Sequence, residues 1–417
     1  MGFGQGLSGI DAAAQNLDVI GNNIANANTV GFKQSTAQFA DVFAGAQVGL
    51  GTRVSKVVQS FNQGNIESTG RSLDVAITNG SGFFRLQDAA GQVYYSRNGQ
   101  FLRTDDGHLT NAQGLLLTGY PSGVSAGAGV QPQPMVVSNA QMAPKATTNL
   151  SIQLNLDSGT NVITPTTFPV ANGVPPASSF NYASTVQVFD SLGNAQQLTA
   201  YFVKQAAVAG PPPTSPWMMS VRDAAGNEVA NNIVSFDATG KLIPAGGANA
   251  PALANAISIP ATGAGGLNNG AAALTAKIDL TGSTQYSGPN DPKSVTQNGY
   301  STGSLLGFAV QSDGTVLASY SNQQTQSLGQ VVLAGFGNAE GLKSAGDNVW
   351  TATGASGTAL LNAPGGTLGQ LKSNAVESSN VNLSSELVNL IVAQRNYQAN
   401  AQTIKAQDQV MQTLMNI

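Results

Sequence analysis

The sequence predicts a multi-domain protein in which mainly-β globular domains, one nested inside another, are flanked by α-helical, coiled-coil-forming segments at both termini. Three observations carry this. Apolar residues recur at steps of three and four near both ends of the 417-residue chain, which is the spacing of a helix seam. Between the ends run short alternating segments punctuated by Asn-Gly and Asp-Gly pairs, the signature of antiparallel hairpins rather than βαβ units. The pattern breaks at a Pro-, Ser- and Gly-rich passage over 121–149 and resumes in the same style after Pro289, as expected where one domain is inserted in another.

The first seam is Leu7, Ile10, Ala14, Leu17, Gly21 and Ile24. No proline falls between Ser8 and Ala27, and Asp11 is expected in the first turn, where the helix dipole favours a carboxylate. Gly21 and the run Asn22, Asn23, Asn26 and Asn28 are poor helix formers, so a break or fraying is expected there.

Residues 48–70 read as short extended pieces. Residues 73–77 alternate as a strand before the turn Asn79-Gly80, and further hairpin signals follow at Asn98-Gly99 and Asp106-Gly107. In the insertion, 151–156 alternates cleanly and 186–190 with 197–203 flank a turn at 191–194, as in a hairpin. Pro211, Pro212 and Pro213 make a stiff surface turn, and the tract 245–270 is too poor in large apolar groups to hold a core alone. Strands then recur at 305–310, 315–320 and 330–336, with a linker at 354–369.

The last seam runs Leu383, Leu387, Leu390, Gln394, Tyr397, Ala401, Ile404, Asp408, Met411 and Met415, with eight of the ten apolar. Polar seam positions such as Gln394 and Asp408 set register at some cost in stability. Asn382 is placed to cap this helix, with Glu386 in its opening turns. The division expected is terminal helices at 1–30 with 381–417, a connecting region at 31–70 with 369–380, a first β-domain at 71–146 with 286–368, and an inserted outer β-domain at 147–285.

Only 9% of residues are charged, against about 25% in soluble proteins generally. A surface so short of charge has little self-repulsion and is suited to assembly. The formal net charge of -4 gives no footing for nucleic acid, which calls for a basic stripe. No secretory leader is evident, since no Lys or Arg precedes Lys33. No run of eighteen apolar residues predicts membrane insertion.

Catalytic, cofactor and metal sites are not expected. The chain has no cysteine, which removes disulfides and thiolate metal sites. Gly4, Gly6 and Gly9 fit a dinucleotide-binding spacing, but no strand precedes them. His108, the single histidine, follows an Asp-Gly turn and reads as a solvated turn residue. Asp105 and Asp106 are neighbours in a turn, and Asp74, Asp190 and Asp279 stand in strand-like segments with no visible partner. Trp217, Trp350, Phe83 and Phe84 are expected in cores.

Three stretches then carry a resemblance. The run Asn22-Asn23-Ile24-Ala25-Asn26 with Gly31-Phe32-Lys33 resembles the N-terminal motif of the flagellar axial proteins, the family of rod, hook and hook-filament junction subunits. Glu386-Leu387-Val388-Asn389 and Gln394-Arg395-Asn396-Tyr397 are similar to that family's C-terminal half. Ser72-Leu73-Asp74-Val75, Gly82-Phe83-Phe84 and Ser96-Arg97-Asn98-Gly99 look like its first β-domain. Chain length, the insertion, and the stretches 189–194 and 298–303 point to the hook-type members.

The resemblance implies a structural subunit that polymerises into a curved, bendable tube, with the terminal helices forming the inner wall. It implies as partners other copies of the chain, rod and hook-filament junction proteins, a hook cap and the flagellar export apparatus. Export without a cleaved signal to the cell exterior is implied as well. The polymerisation seams would be Leu7, Ile10, Ala14, Leu17, Ile24, Leu383, Leu387, Leu390, Tyr397, Ala401, Ile404 and Met411. Two other readings stand beside it: a rod or junction subunit, which would build a straight tube or cap the hook, and an unrelated secreted β-rich adhesin or enzyme acting as a monomer.

Overall fold

A computed structural model describes residues 3–42, 49, 51–124, 129–164, 173–210, 212–244 and 256–415. The described chain forms two compact units. One comprises 1–139, 306–319 and 325–417, and the other, interrupting it, comprises 140–305 with 320–324. Mainly-β units with a helix at each chain end are what the sequence predicts.

In the first unit, α1 spans Phe3–Ala25 and α2 spans Leu383–Met415. The Ser385 amide donates to Asn382 Oδ1 at 3.1 Å, so Asn382 does cap α2. Two expectations for α1 are corrected. The helix begins at Phe3 and has no acidic residue in its first turn, which places Asp11 further along. It also runs through Gly21 to Ala25 without a break. Asn23, buried, is tied to Ser35 by bonds of 2.7 and 2.9 Å, and such tertiary contacts override a weak propensity.

Strands β1 (Ser35–Asp41) and β2 (Thr52–Gln59) form an antiparallel ribbon, Ser35 opposite Gln59, with a bulge at Gln38/Phe39 that strengthens its twist. The ribbon lies along α1: Gln5 donates to the Gly49 carbonyl at 2.7 Å and the Thr52 amide to Ser8 Oγ at 3.3 Å. Short ladders then stitch the two chain ends together. Ala375–Glu377 pairs with Ile66–Ser68, and Gln370–Ser373 with Val75–Thr78.

The unit's larger sheet brings Thr325–Val331, Leu116–Pro121, Phe83–Gln87, Val93–Ser96 and Val349–Thr351 side by side. Phe61 meets both Phe83 and Trp350 edge-on at 5.3 Å between centroids, a geometry that aligns ring edges with π-faces. Trp350 Nε1 donates to Gln59 Oε1 at 2.6 Å, so the buried indole N–H is satisfied and the ribbon is pinned to the sheet.

The second unit is a β-sandwich. One sheet is the antiparallel series Tyr182–Phe189, Ala195–Lys204, Ser215–Asp223 and Glu228–Phe236. The other orders Ala256–Ile259, Leu274–Asp279, Asn149–Asn155 and Asp291–Gln297. Alternate residues of both sheets, among them Ile152, Leu154, Phe202, Trp217, Met219 and Phe236, close one core. Ile257 and Ile259, from the tract expected to be too poor for a core of its own, contribute to it; residues 245–255 of that tract, like Pro211, lie outside the described residues. Asp190, for which the sequence shows no partner, is buried and accepts from Asn269 Nδ2 at 2.6 Å and Asn194 Nδ2 at 3.0 Å.

Candidate functional site

The two terminal helices pack antiparallel. A Cβ on Gly6 would stand 2.9 Å from Ile404 Cγ1, and one on Gly9 2.8 Å from Asn400 Oδ1. At the other end Asn23 Nδ2 lies 3.4 Å from Glu386 Oε2. The face of α1 used is Gly6, Gly9, Ala12, Ala13, Ile20 and Asn23, all buried, and it too recurs at steps of three and four. On α2 the facing positions include Glu386 and Ala393, both buried. Small residues at a helix contact bring the axes close.

This is not the face marked by the apolar seams. Leu7 is 50% exposed, and Ile10, Ala14, Leu17 and Ile24 are half-buried. Leu383, Leu387, Tyr397 and Met411 are exposed, and Leu390, Ala401 and Ile404 half-buried. Of the predicted seam positions, Ile404 is the one set against Gly6 of α1. The chain pairs its helices through small and polar side chains and leaves much of both apolar stripes to solvent.

The Asn-rich motif serves the base of this pair. Asn26 Nδ2 donates to the Asn22 carbonyl at 3.0 Å and to its Oδ1 at 3.1 Å. Asn23 joins Ser35 to Glu386, and Gln34 Nε2 donates to Glu386 Oε1 at 2.7 Å. Glu386 sits in the first turn of α2, where the helix dipole favours its charge. Phe32 is buried, and Gly31 turns the chain with φ 73°.

Lys33 ends the motif at a buried charged node. Its Nζ lies 2.6 Å from Glu377 Oε1, both side chains fully buried, and donates to the Asn62 carbonyl at 2.8 Å. Arg97, from the hairpin motif, lies 3.3 Å from the other oxygen of Glu377, donates to the Gly80 carbonyl at 2.9 Å and stacks 5.1 Å from the Phe83 ring centroid. Burial pulls the Lys33 ammonium below its ordinary range, with Glu377 opposing, and acts on Arg97 in the same direction. One carboxylate thus binds the N-terminal segment, the C-terminal segment and the β-sheet together.

Lys33 belongs to the family motif, but nothing in the sequence signals Glu377 as its partner, since the two are 344 positions apart. Gly6, Gly9 and Ala13 escape a sequence reading for another reason: a contact face of small residues has no hydrophobic period to read. His108 lies 3.6 Å from Asp106 in its turn. Among the described residues no group of three or more His, Asp or Glu is placed to hold a metal ion, and no helix is long and apolar enough to cross a membrane.

Comparison with known proteins matches four stretches to described families. Residues 5–33 match "Flagella basal body rod protein", 76–155 "Flagellar hook protein FlgE/F/G D1 domain", 155–300 "Flagellar basal body protein FlaE D2 domain" and 372–417 "Flagellar basal body rod FlgEFG protein C-terminal". The flagellar hook protein FlgE of Escherichia coli K12 is 48% identical over 425 residues, covering 100% of both chains. That of Salmonella typhimurium LT2 is 46% identical over 427 residues, again with 100% of both covered. The Brucella suis flagellar hook protein FlgE is 30% identical, covering 99% of this chain and 97% of its own. Among solved structures, Helicobacter pylori flagellar hook protein FlgE2 is similar in fold, with a TM-score of 0.52 at 12% identity over 74% of this chain and 98% of that one.

Proposed function

The chain belongs to the flagellar hook protein family, and from that membership we propose that it polymerises with copies of itself into the curved, bendable tube that couples rod to filament. Its function is that of a structural subunit of the bacterial flagellar hook. The observation that best supports polymerisation through the chain ends is the exposure of the two apolar stripes. Leu7, Leu387 and Met411 face water in the single chain, although the helices that bear them already pack together. Contiguous exposed apolar surface of this kind marks a protein interface.

In this reading the helical segments 1–30 and 381–417 form the inner wall of the tube. Rod and hook-filament junction proteins meet its ends, a cap covers its growing tip, and the flagellar export apparatus delivers the chain without a cleaved signal. Neither nucleic acid nor membrane insertion has a part, and no cofactor is required. The role is mechanical rather than catalytic.

Electron microscopy of the chain concentrated in precipitating salt tests this, beside a version lacking 1–30 and 381–417. Curved tubes from the full chain and none from the trimmed one are expected. Straight tubes would replace the hook reading by the rod reading. Monomers whose two ends resist protease and which never extend a hook seed would overturn polymerisation altogether.

A further inference from the structure

Two surfaces flank the α1–α2 contact, each left partly open by the chain's own packing. The first is a ridge. On each helix the apolar stripe is turned by roughly 70–100° from the contact face at ~100° per residue, and because the helices are antiparallel the two stripes turn toward the same side. Leu7, Ile10 and Leu17 of α1 therefore continue into Leu387, Leu390 and Tyr397 of α2.

The second surface is a groove on the other flank. Its floor is Ala12, Ala13 and Asn16 of α1; its walls are Val392 and Ala399 of α2 on one side and Phe39 of β1 on the other. It consists of adjoining cavities of about 520 and 230 Å³. None of the ridge residues lines it. Phe39 and Val392 are each 50% exposed at its rims, and the charged side chain in its lining, Glu386, is engaged by Asn23 and Gln34. From Gly9 to Ile20 it runs about 16 Å at ~1.5 Å per residue, some three helical turns. Asn16, Asn389, Asn396 and Asn400 line it as well, so between its two apolar rims a seated helix face meets small and amide side chains.

We propose that the ridge of one copy seats in the groove of the next. The two surfaces are different and point away from each other, so a single chain cannot join them. Contact between unlike patches is heterologous: it leaves a free ridge at one end and a free groove at the other, and it propagates into a helical array unless the rotation closes a ring. An isologous contact of ridge on ridge would end in a dimer. This inference rests on the polymerisation reading above and specifies the joint.

The chain has no cysteine, so an introduced pair reports a single contact. Chains carrying one ridge cysteine (L7C, L387C or Y397C) are co-assembled with chains carrying one groove cysteine (F39C, V392C or A399C). Tubes are scored by electron microscopy, and disulfides, which need Cα atoms within about 7 Å, by denaturing gel after mild oxidation. Ridge–groove combinations are expected to give covalent dimers, and a chain carrying both cysteines a ladder of higher oligomers. Tubes with ridge–ridge links instead, or with no ridge–groove link in any combination, would overturn the joint while leaving polymerisation intact. Absence of tubes from the unsubstituted chain even on a hook seed, with both ends resisting protease, would overturn polymerisation itself. As a second variant, Ala399→Trp fills the groove; it is expected to abolish tubes with monomer helicity unchanged, and normal tubes from it would sink the proposal.

Discussion

Gly31 and Asn98 touch backbone to backbone: a Cβ built on Gly31 would lie 2.7 Å from the Asn98 amide nitrogen. Gly31 also has φ 73°, a conformation that costs an ordinary L-residue about 1–2 kcal/mol. The obstacle is main chain and cannot rotate away. Gly31→Ala is therefore expected to lose more than that penalty in stability. Urea unfolding followed by fluorescence measures it, and a loss below about 1 kcal/mol would contradict the geometry.

The Lys33–Glu377–Arg97 node gives an asymmetric prediction. Glu377→Ala strands two buried cations, and breaking a buried pair in this way costs about 3–5 kcal/mol. Lys33→Met leaves Glu377 still facing Arg97 at 3.3 Å and should cost less. The chain has two tryptophans, so a Trp217→Phe background leaves Trp350, in the same unit as the node, as the reporter. Equal losses from the two substitutions would mean that Arg97 contributes nothing to holding the carboxylate.

At the helix contact two effects oppose each other. Replacing a helical glycine with alanine gains about 1 kcal/mol from propensity, but a methyl on Gly9 must displace the Asn400 amide. Gly9→Ala alone should be close to neutral. The double variant G9A/N400A removes the obstacle and should gain about 1 kcal/mol, read as a rise in the melting temperature of the helical signal. Additivity of the two single changes would show that the positions do not touch.

Acid should weaken the second unit. Burial would raise the Asp190 carboxyl, but hydrogen bonds from Asn194 and Asn269 outweigh it and hold it below its usual value. Bonds from the Thr239 and Thr281 side chains lower Asp237 and Asp279 in the same way. An unfolded aspartate titrates near ~3.9. Above that pH both states are ionised and the stabilisation is complete; as pH falls through the lower folded values it is lost. Trp217 fluorescence in a Trp350→Phe background should report this loss, and Asp190→Ala should flatten the acid limb.

The features legible in the sequence are those with a period or a punctuation. The stripes from Leu7 to Leu17 and from Leu383 onward announce helices, and Asn98-Gly99 and Asp106-Gly107 announce hairpins. Which side of α1 meets α2 is not legible, because Gly6, Gly9 and Ala13 carry no apolar signal; the hydrophobic pattern points instead to positions that the single chain leaves exposed or half-buried. The continuity of α1 past Gly21 depends on Asn23 bonding to Ser35, a tertiary contact that local propensity cannot register. Glu377 is silent for a similar reason: an isolated acidic residue acquires meaning only when Lys33 and Arg97 are folded around it.

The separation of Lys33 and Glu377 by 344 residues also makes the node a clock. A chain delivered end-first presents one partner long before the other; at the ~5–20 residues per second of ribosomal synthesis the gap is roughly 20–70 s. Through that interval the leading charge stays in water, where it costs nothing. The base of the helix pair can lock only once Glu377 has followed Lys33, so its closure waits on all of the β-structure that lies between them.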